Sequence, residues 1–136
     1  MLVIDASALA DLLLDLPPAG EVARHLHEYE YALAAPHVLD LEVLSALRRA
    51  VASAQTSAGR ADEAVDDLLD LSLERYPHHL LTPRIWELRT NFSPYDAAYL
   101  ALAEALTDEG SALLTTDARF ARAARRHSDV EVLLAA

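Results

Sequence analysis

The chain has 136 residues, 53% of them hydrophobic, which suits one domain spanning 1–136 with a sizeable apolar core and excludes a disordered protein. It has no cysteine, so disulfides, thiolate metal sites and cysteine nucleophiles are excluded. A formal net charge of −11 runs against non-specific nucleic-acid binding, which rests on neutralising phosphate.

From the N-terminus, the branched apolar run Leu2-Val3-Ile4 suits a buried parallel strand, and Asp5-Ala6-Ser7 then leads into helical spacing from Ala8 to Leu14. No basic segment precedes that run and Asp5 interrupts it, so neither a signal peptide nor a membrane span is expected; the expectation is a soluble, cytoplasmic protein. Pro17-Pro18-Ala19-Gly20 breaks the first helix, and Glu21 to Tyr29 reads as a second. Tyr31 to Ala35 reads as a short strand stopped by Pro36. From His37 to Ala54, the positions Leu39, Val43, Ala46, Leu47 and Ala50 form one apolar helical stripe, with Glu42 at its edge and Asp40 on the other flank.

A further helix covers Ala58 to Ser72, with Val65, Leu68, Leu69 and Leu71 expected to face inward. Its acids, Asp62, Glu63, Asp66, Asp67 and Asp70, read as a solvated face. His78 to Thr82 suggests a weak strand and Pro83 to Thr90 a short helix. Ser93-Pro94-Tyr95-Asp96 carries the signals of a helix start: an N-cap serine, proline at the first helical position and an acid at the third. The helix that follows, Ala97 to Ala103, is apolar all round and is expected to be buried. After Gly110, Ala112 to Thr115 reads as a strand, Ala118 to Arg126 as a helix and Val130 to Leu134 as a last strand. The alternation predicts a three-layer α/β/α sandwich around a short, mostly parallel sheet of four or five strands.

In such a sheet, sites form beyond the carboxyl ends of the strands, where Asp5 and Asp117 are placed. Glu42 and Asp96 belong to helices expected to pack beside the same edge. Carboxylates gathered there raise one another's pKa unless a cation neutralises them, and Mg²⁺ or Mn²⁺ prefers oxygen ligands. Each acid also has a plainer role open to it: Asp5 and Asp117 as helix caps, Asp96 as part of a capping box, Glu42 as a surface acid. The six histidines show no metal-ligand spacing. All eleven basic residues are arginines, gathered mainly at Arg48-Arg49, at Arg84 with Arg89, and at Arg119, Arg122, Arg125 and Arg126. Such patches contact phosphate bidentately despite an acidic total. Trp86, Phe92, Tyr95 and Phe120 read as core rather than as a base-stacking platform.

At these residues the chain resembles the PIN-domain family, in particular the VapC-type toxins of bacterial toxin–antitoxin pairs. The matching segments are Leu2 to Leu9, Leu41 to Arg49, Arg89 to Glu104 and Leu113 to Phe120, in the family's order. The resemblance implies an endoribonuclease dependent on Mg²⁺ or Mn²⁺, with Asp5, Glu42, Asp96 and Asp117 as its acidic quartet. Ser7 and Thr115 match supporting hydroxyl positions, and Asn91 and Tyr95 match positions beside the site. Arg89, Arg119 and Arg122 are candidates for contact with RNA phosphate. The same resemblance implies inhibition by an antitoxin of the VapB type and assembly as a homodimer. The alternative is a non-catalytic acidic α/β interaction domain. A receiver domain would want a lysine, and a haloacid-dehalogenase relative an Asp-x-Asp after the first strand; both are missing.

Overall fold

Leu2–Ile4, none with exposed surface, forms the central strand β1 of a five-stranded sheet ordered β3-β2-β1-β4-β5. The computed structural model describes residues 1–136, with β2 at Leu33–Pro36, β3 at Glu74–Tyr76, β4 at Ala112–Thr115 and β5 at Glu131–Leu134. Every neighbouring pair is parallel, Val3 standing opposite Ala34 on one side and Leu113 on the other. Parallel strands covered on both faces have no wet side, which is why β1, β2 and β4 are buried throughout while the edge strands β3 and β5 are not.

The helices are α1 (Ala6–Leu14), α2 (Ala19–Glu28), α3 (Leu39–Ala52), α4 (Ala58–Asp70), α5 (Thr82–Glu87), α6 (Pro94–Ala105) and α7 (Ala118–His127). Helices α1 to α4 pack against one another on one face, and α6 covers β1, β2 and β4 on the other with α5 against it. Helix α7 lies along β4 and β5; its Phe120 ring meets Phe92, just ahead of α6, edge to face at 6.1 Å. Right-handed crossovers produce this split, because the chain leaves β1 leftward through β2 and β3 and then returns to build β4 and β5 on the right. No helix is long and apolar enough to cross a membrane.

The sandwich and its parallel sheet match the expectation, with several differences in detail. The strand expected at His78–Thr82 is absent; His78–Leu81 is a 3-10 turn leading into α5, and the strand lies earlier at Glu74–Tyr76. As an edge strand with polar side chains, Glu74-Arg75-Tyr76 lacks the apolar signature that marks the inner strands. Pro36 ends β2 from within it, and α2 begins two residues early at Ala19. Leu69 faces solvent at 74% exposure, the inner face of α4 being made by Ala61, Ala64 and Leu68. Trp86 and Tyr95 are also exposed, at 65% and 57%, because α5 and the start of α6 lie on the outside of their layer; Phe92 and Phe120 are buried as expected.

Two leucines separate core from surface. Leu113→Ala, in a fully buried strand, is expected to lower unfolding free energy by about 2–5 kcal/mol, and Leu69→Ala by less than about 0.5 kcal/mol, read by urea denaturation. Equal losses at both positions would contradict the packing of α4.

Candidate functional site

The sheet reverses its direction of growth between β1 and β4, and their carboxyl ends part there to leave a crevice. Asp5 follows β1 and is the N-cap of α1; Asp117 stands two residues beyond β4 and is the N-cap of α7. Glu42 lies in the first turn of α3 and Asp96 in the first turn of α6. All four helices start at the same edge, so their N-termini converge there with partial positive charge. The four acids, with Ser7, Ser45, Arg49 and Tyr99, line one cavity of about 200 Å³.

The caps and the cavity use different oxygens. Asp5 Oδ1 accepts from the Ala8 N–H at 2.9 Å and the Ser7 hydroxyl at 2.7 Å, while Oδ2 makes neither of these bonds. Asp117 Oδ1 accepts from the Arg119 and Phe120 N–H groups at 2.9 and 3.2 Å, again with Oδ2 left over. Glu42 Oε1 accepts from the Tyr99 hydroxyl at 2.6 Å, with Oε2 uncommitted. Ser93 caps α6 by accepting from the Asp96 N–H at 3.2 Å, but the Asp96 carboxylate does not return a bond to complete a capping box. The capping role of Asp5 and Asp117 is thus compatible with a second role, and Asp96 is committed to neither partner.

The resemblance favours Glu42 over Asp40, and the fold supplies the physical reason. Arg75 on β3 grips Asp40 through two hydrogen bonds of 2.7 and 2.8 Å, which draws it to the far flank of α3. Asp11 accepts from the Thr116 hydroxyl at 3.0 Å and lines a neighbouring hollow, and Asp15 is exposed at the end of α1.

Burial lifts the Asp5 carboxyl to about 6, against the hydrogen bonds of Thr115, Ala8 and Ser7 that favour its charge; Asp96 adds to the rise. Asp96 is lifted to about 6, first by burial and then by the charges of Asp117 and Glu42. Burial and the bond to Glu42 push the Tyr99 phenol well up, so it donates at neutral pH. The acids therefore act on one another electrostatically.

Hard carboxylate oxygens, several uncommitted and mutually repelling, fit a divalent cation such as Mg²⁺ or Mn²⁺. No three His, Asp or Glu groups are gathered tightly enough to hold an ion as they stand. An ion bound by these carboxylates would have to draw them closer together than they stand.

Of the other predicted residues, Ser7 and Thr115 are at the base of the site: their hydroxyls are 3.4 Å apart, and Thr115 accepts from the Asp117 N–H at 3.0 Å. Asn91 and Arg119 line an adjoining hollow that shares Asp96 and Asp117. Tyr95 instead lines an apolar hollow with Val38, Ile85 and Ala98. Arg89 lies over the Trp86 ring, 4.4 Å from its centroid, and Arg122 lines neither the acidic cavity nor the hollow beside it. Sequence reasoning missed Tyr99, Ser45 and Arg49 as site residues. Their signal was helical spacing: Tyr99 is three residues after Asp96, and Ser45 and Arg49 are three and seven after Glu42.

A family model described as the PIN domain matches residues 2–126. Ribonuclease VapC1 of Mycobacterium tuberculosis is 45% identical over 125 residues, covering 89% of each chain. Ribonuclease VapC9 of the same organism is 37% identical over 135 residues, covering 98% of each. Among solved structures, PAE2754 from Pyrobaculum aerophilum superposes with a TM-score of 0.65 at 20% identity, over 96% of this chain and 81% of that one. The VapBC2 structure from Rickettsia felis, bound to a promoter DNA fragment, gives 0.68 at 14% identity, over 98% and 97%. At those identities the two structures speak for the fold alone.

The raised carboxyls imply a pH dependence. Between the unfolded value of 3.8 and the folded value near 6, the native state binds more protons than the unfolded state, so stability falls as pH rises through that window. The metal-free protein is therefore expected to gain from these two groups on going from pH 7 to 5. Asp5→Asn keeps a good N-cap and removes the buried charge, so at pH 7 it should stabilise the metal-free protein by roughly 2–3 kcal/mol and flatten the profile. Denaturant melts across pH test this; unchanged stability and an unchanged pH profile in the variant would show that Asp5 is only a cap.

Proposed function

The chain belongs to the PIN-domain family, with the VapC ribonucleases among its relatives, and on that premise we propose that it is a metal-dependent endoribonuclease, the toxin of a type II toxin–antitoxin pair. The observation that supports this reading most is the set of four carboxylates on one cavity at the switch point of the sheet, with oxygens left over after capping.

Asp5, Glu42 and Asp96 would hold Mg²⁺ or Mn²⁺, with Asp117 at the exposed rim. The bound cation supplies Lewis acidity, favouring ionisation of water at neutral pH and offsetting charge on the scissile phosphate and the departing 3′ oxygen. Ser7 and the Ala8 N–H hold the Asp5 carboxylate through Oδ1, which limits its rotamer freedom at the cavity wall. Tyr99 does the same for Glu42 across the gap between α6 and α3. Asp117 would orient the attacking water from the rim of the cavity. No protein nucleophile is needed, since water supplies the oxygen that replaces the 3′ oxygen on phosphorus.

The partner in this reading is an antitoxin of the VapB type, whose basic groups would meet a chain of net charge −11. Homodimerisation has an apolar surface available in the hollow of Val38, Ile85 and Tyr95. Cytoplasmic action follows from the RNA substrate.

Purified protein is expected to cleave single-stranded RNA when Mg²⁺ or Mn²⁺ is supplied and to stop in EDTA. Asp5→Asn and Asp96→Asn should each lower the cleavage rate by roughly 100-fold or more while remaining folded, and Asp62→Asn on the solvated face of α4 should leave it unchanged. Full activity in either site variant, or in EDTA, would refute the metal mechanism.

A further inference from the structure

Most of the chain's arginines are already engaged. Arg24 pairs with Glu21 and Glu28, Arg60 with Glu63, Arg75 with Asp40, and Arg84 with Glu87 and Glu104. Arg89 is stacked on Trp86, and Arg125 donates to the Val132 carbonyl.

Arg49 and Arg119 differ from these in position and in commitment. Arg49 is exposed on α3, seven residues and so about 10 Å along the helix from Glu42. It lines the acidic cavity yet forms no ion pair with any carboxylate; its one side-chain hydrogen bond runs from Nη1 to Ser45 Oγ at 2.9 Å. Nε and Nη2 keep their donors. Arg119 is exposed in the first turn of α7 and likewise has no carboxylate partner, although its hollow is walled by Asp96 and Asp117. A guanidinium beside unpaired carboxylates that joins none of them is placed for an anion from outside.

The hollows are continuous. Ser7, Ala46 and Arg49 are shared by the acidic cavity and a hollow on its α1 side, and Asp96 and Asp117 are shared with the hollow on its α7 side. Together they make one groove that passes the carboxyl edge of the sheet and continues between α1 and α3, with the four acids at its middle, Arg119 toward one end, and Arg49 with Asp11 toward the other. Its aromatic walls, Tyr99, Phe92 and Phe120, are buried, so there is no face on which a base can stack.

Resting on the ribonuclease reading, we infer that this groove binds a single RNA strand by its backbone, with the scissile phosphate over the acids and the flanking phosphates on Arg49 and Arg119. Arginine offers a rigid fork of donors that matches phosphate oxygens in pairs. Contacts to phosphate carry no sequence information, so binding through these two residues is sequence-tolerant. Arg89 and Arg122 are not part of the track.

The test uses fluorescein-labelled single-stranded RNA and fluorescence anisotropy over a range of salt, with the full chain carrying Asp5→Asn to prevent cleavage. Arg49→Ala and Arg119→Ala, each added to that parent, should weaken binding roughly 5- to 10-fold and flatten the salt slope by about 0.7, the value of one phosphate contact on a single strand. Arg122→Ala should do neither. A second readout uses the active chain and RNAs with one uncharged methylphosphonate linkage. Cleavage should slow when that linkage adjoins the scissile bond on either side, and each arginine variant should erase the effect on one side only. Binding by the parent that Arg49→Ala and Arg119→Ala leave unchanged, or weaken no more than Arg122→Ala does, overturns this inference alone. No binding by the parent overturns the ribonuclease reading and this inference together.

Discussion

Like charge gathered at the mouth of a parallel sheet is the constraint on which the site depends. Asp5 is buried between β1 and α1, and Asp96, Asp117 and Glu42 face it across a small cavity with no basic side chain paired to any of them. The fold offsets this repulsion only in part. Four helix N-termini point at the same edge, the Ser7 hydroxyl and the Ala8 N–H hold one oxygen of Asp5, backbone N–H groups hold one of Asp117, and Tyr99 holds one of Glu42. Burial first, and the repulsion that remains second, lift Asp5 and Asp96 to about 6. An arrangement that lowers the stability of the metal-free protein has a physical purpose when a bound cation relieves it.

The same logic sorts the rest of the surface. Asp40 and Glu42 differ by two positions on α3, which puts them on opposite sides of the helix; Arg75 neutralises the first and nothing neutralises the second. The arginines divide in parallel. Those on α2, α4 and α5 close ion pairs with nearby acids, whereas Arg49 and Arg119 do not, despite standing closest to the site. Net charge alone hides this division, because it adds the solvated acids of α4 to the cavity acids as though they did the same thing.

Where a segment's burial is uniform, its composition announces it. Strands β1 and β4 are apolar on both faces and were legible as buried strands, and Ser93-Pro94 marked the start of α6 to the residue. Strand β3 was not legible, since a pair of residues such as Glu74 and Arg75 becomes a strand only through its hydrogen bonds to β2. Trp86 and Tyr95 carried the composition of core and lie outside, because which side of α5 and α6 meets the sheet is decided by packing. Arg49 was visible as one of a basic pair, but its standing at the cavity rim depends on how α3 packs against α1.

By itself, the sequence determined that this is an α/β sandwich with acids at strand ends and helix starts, and its motifs placed it beside the PIN-domain family. Those properties are local: hydrophobic period, capping residues and short motifs act over a few neighbours. Tertiary structure alone decided which oxygens stay free after capping, what removes Asp40 from the cavity while Glu42, the acid the resemblance favours, enters it, and which arginines remain uncommitted. These depend on contacts between residues far apart in the chain, such as Tyr99 with Glu42 and Arg75 with Asp40, and no local pattern encodes a distance of that kind.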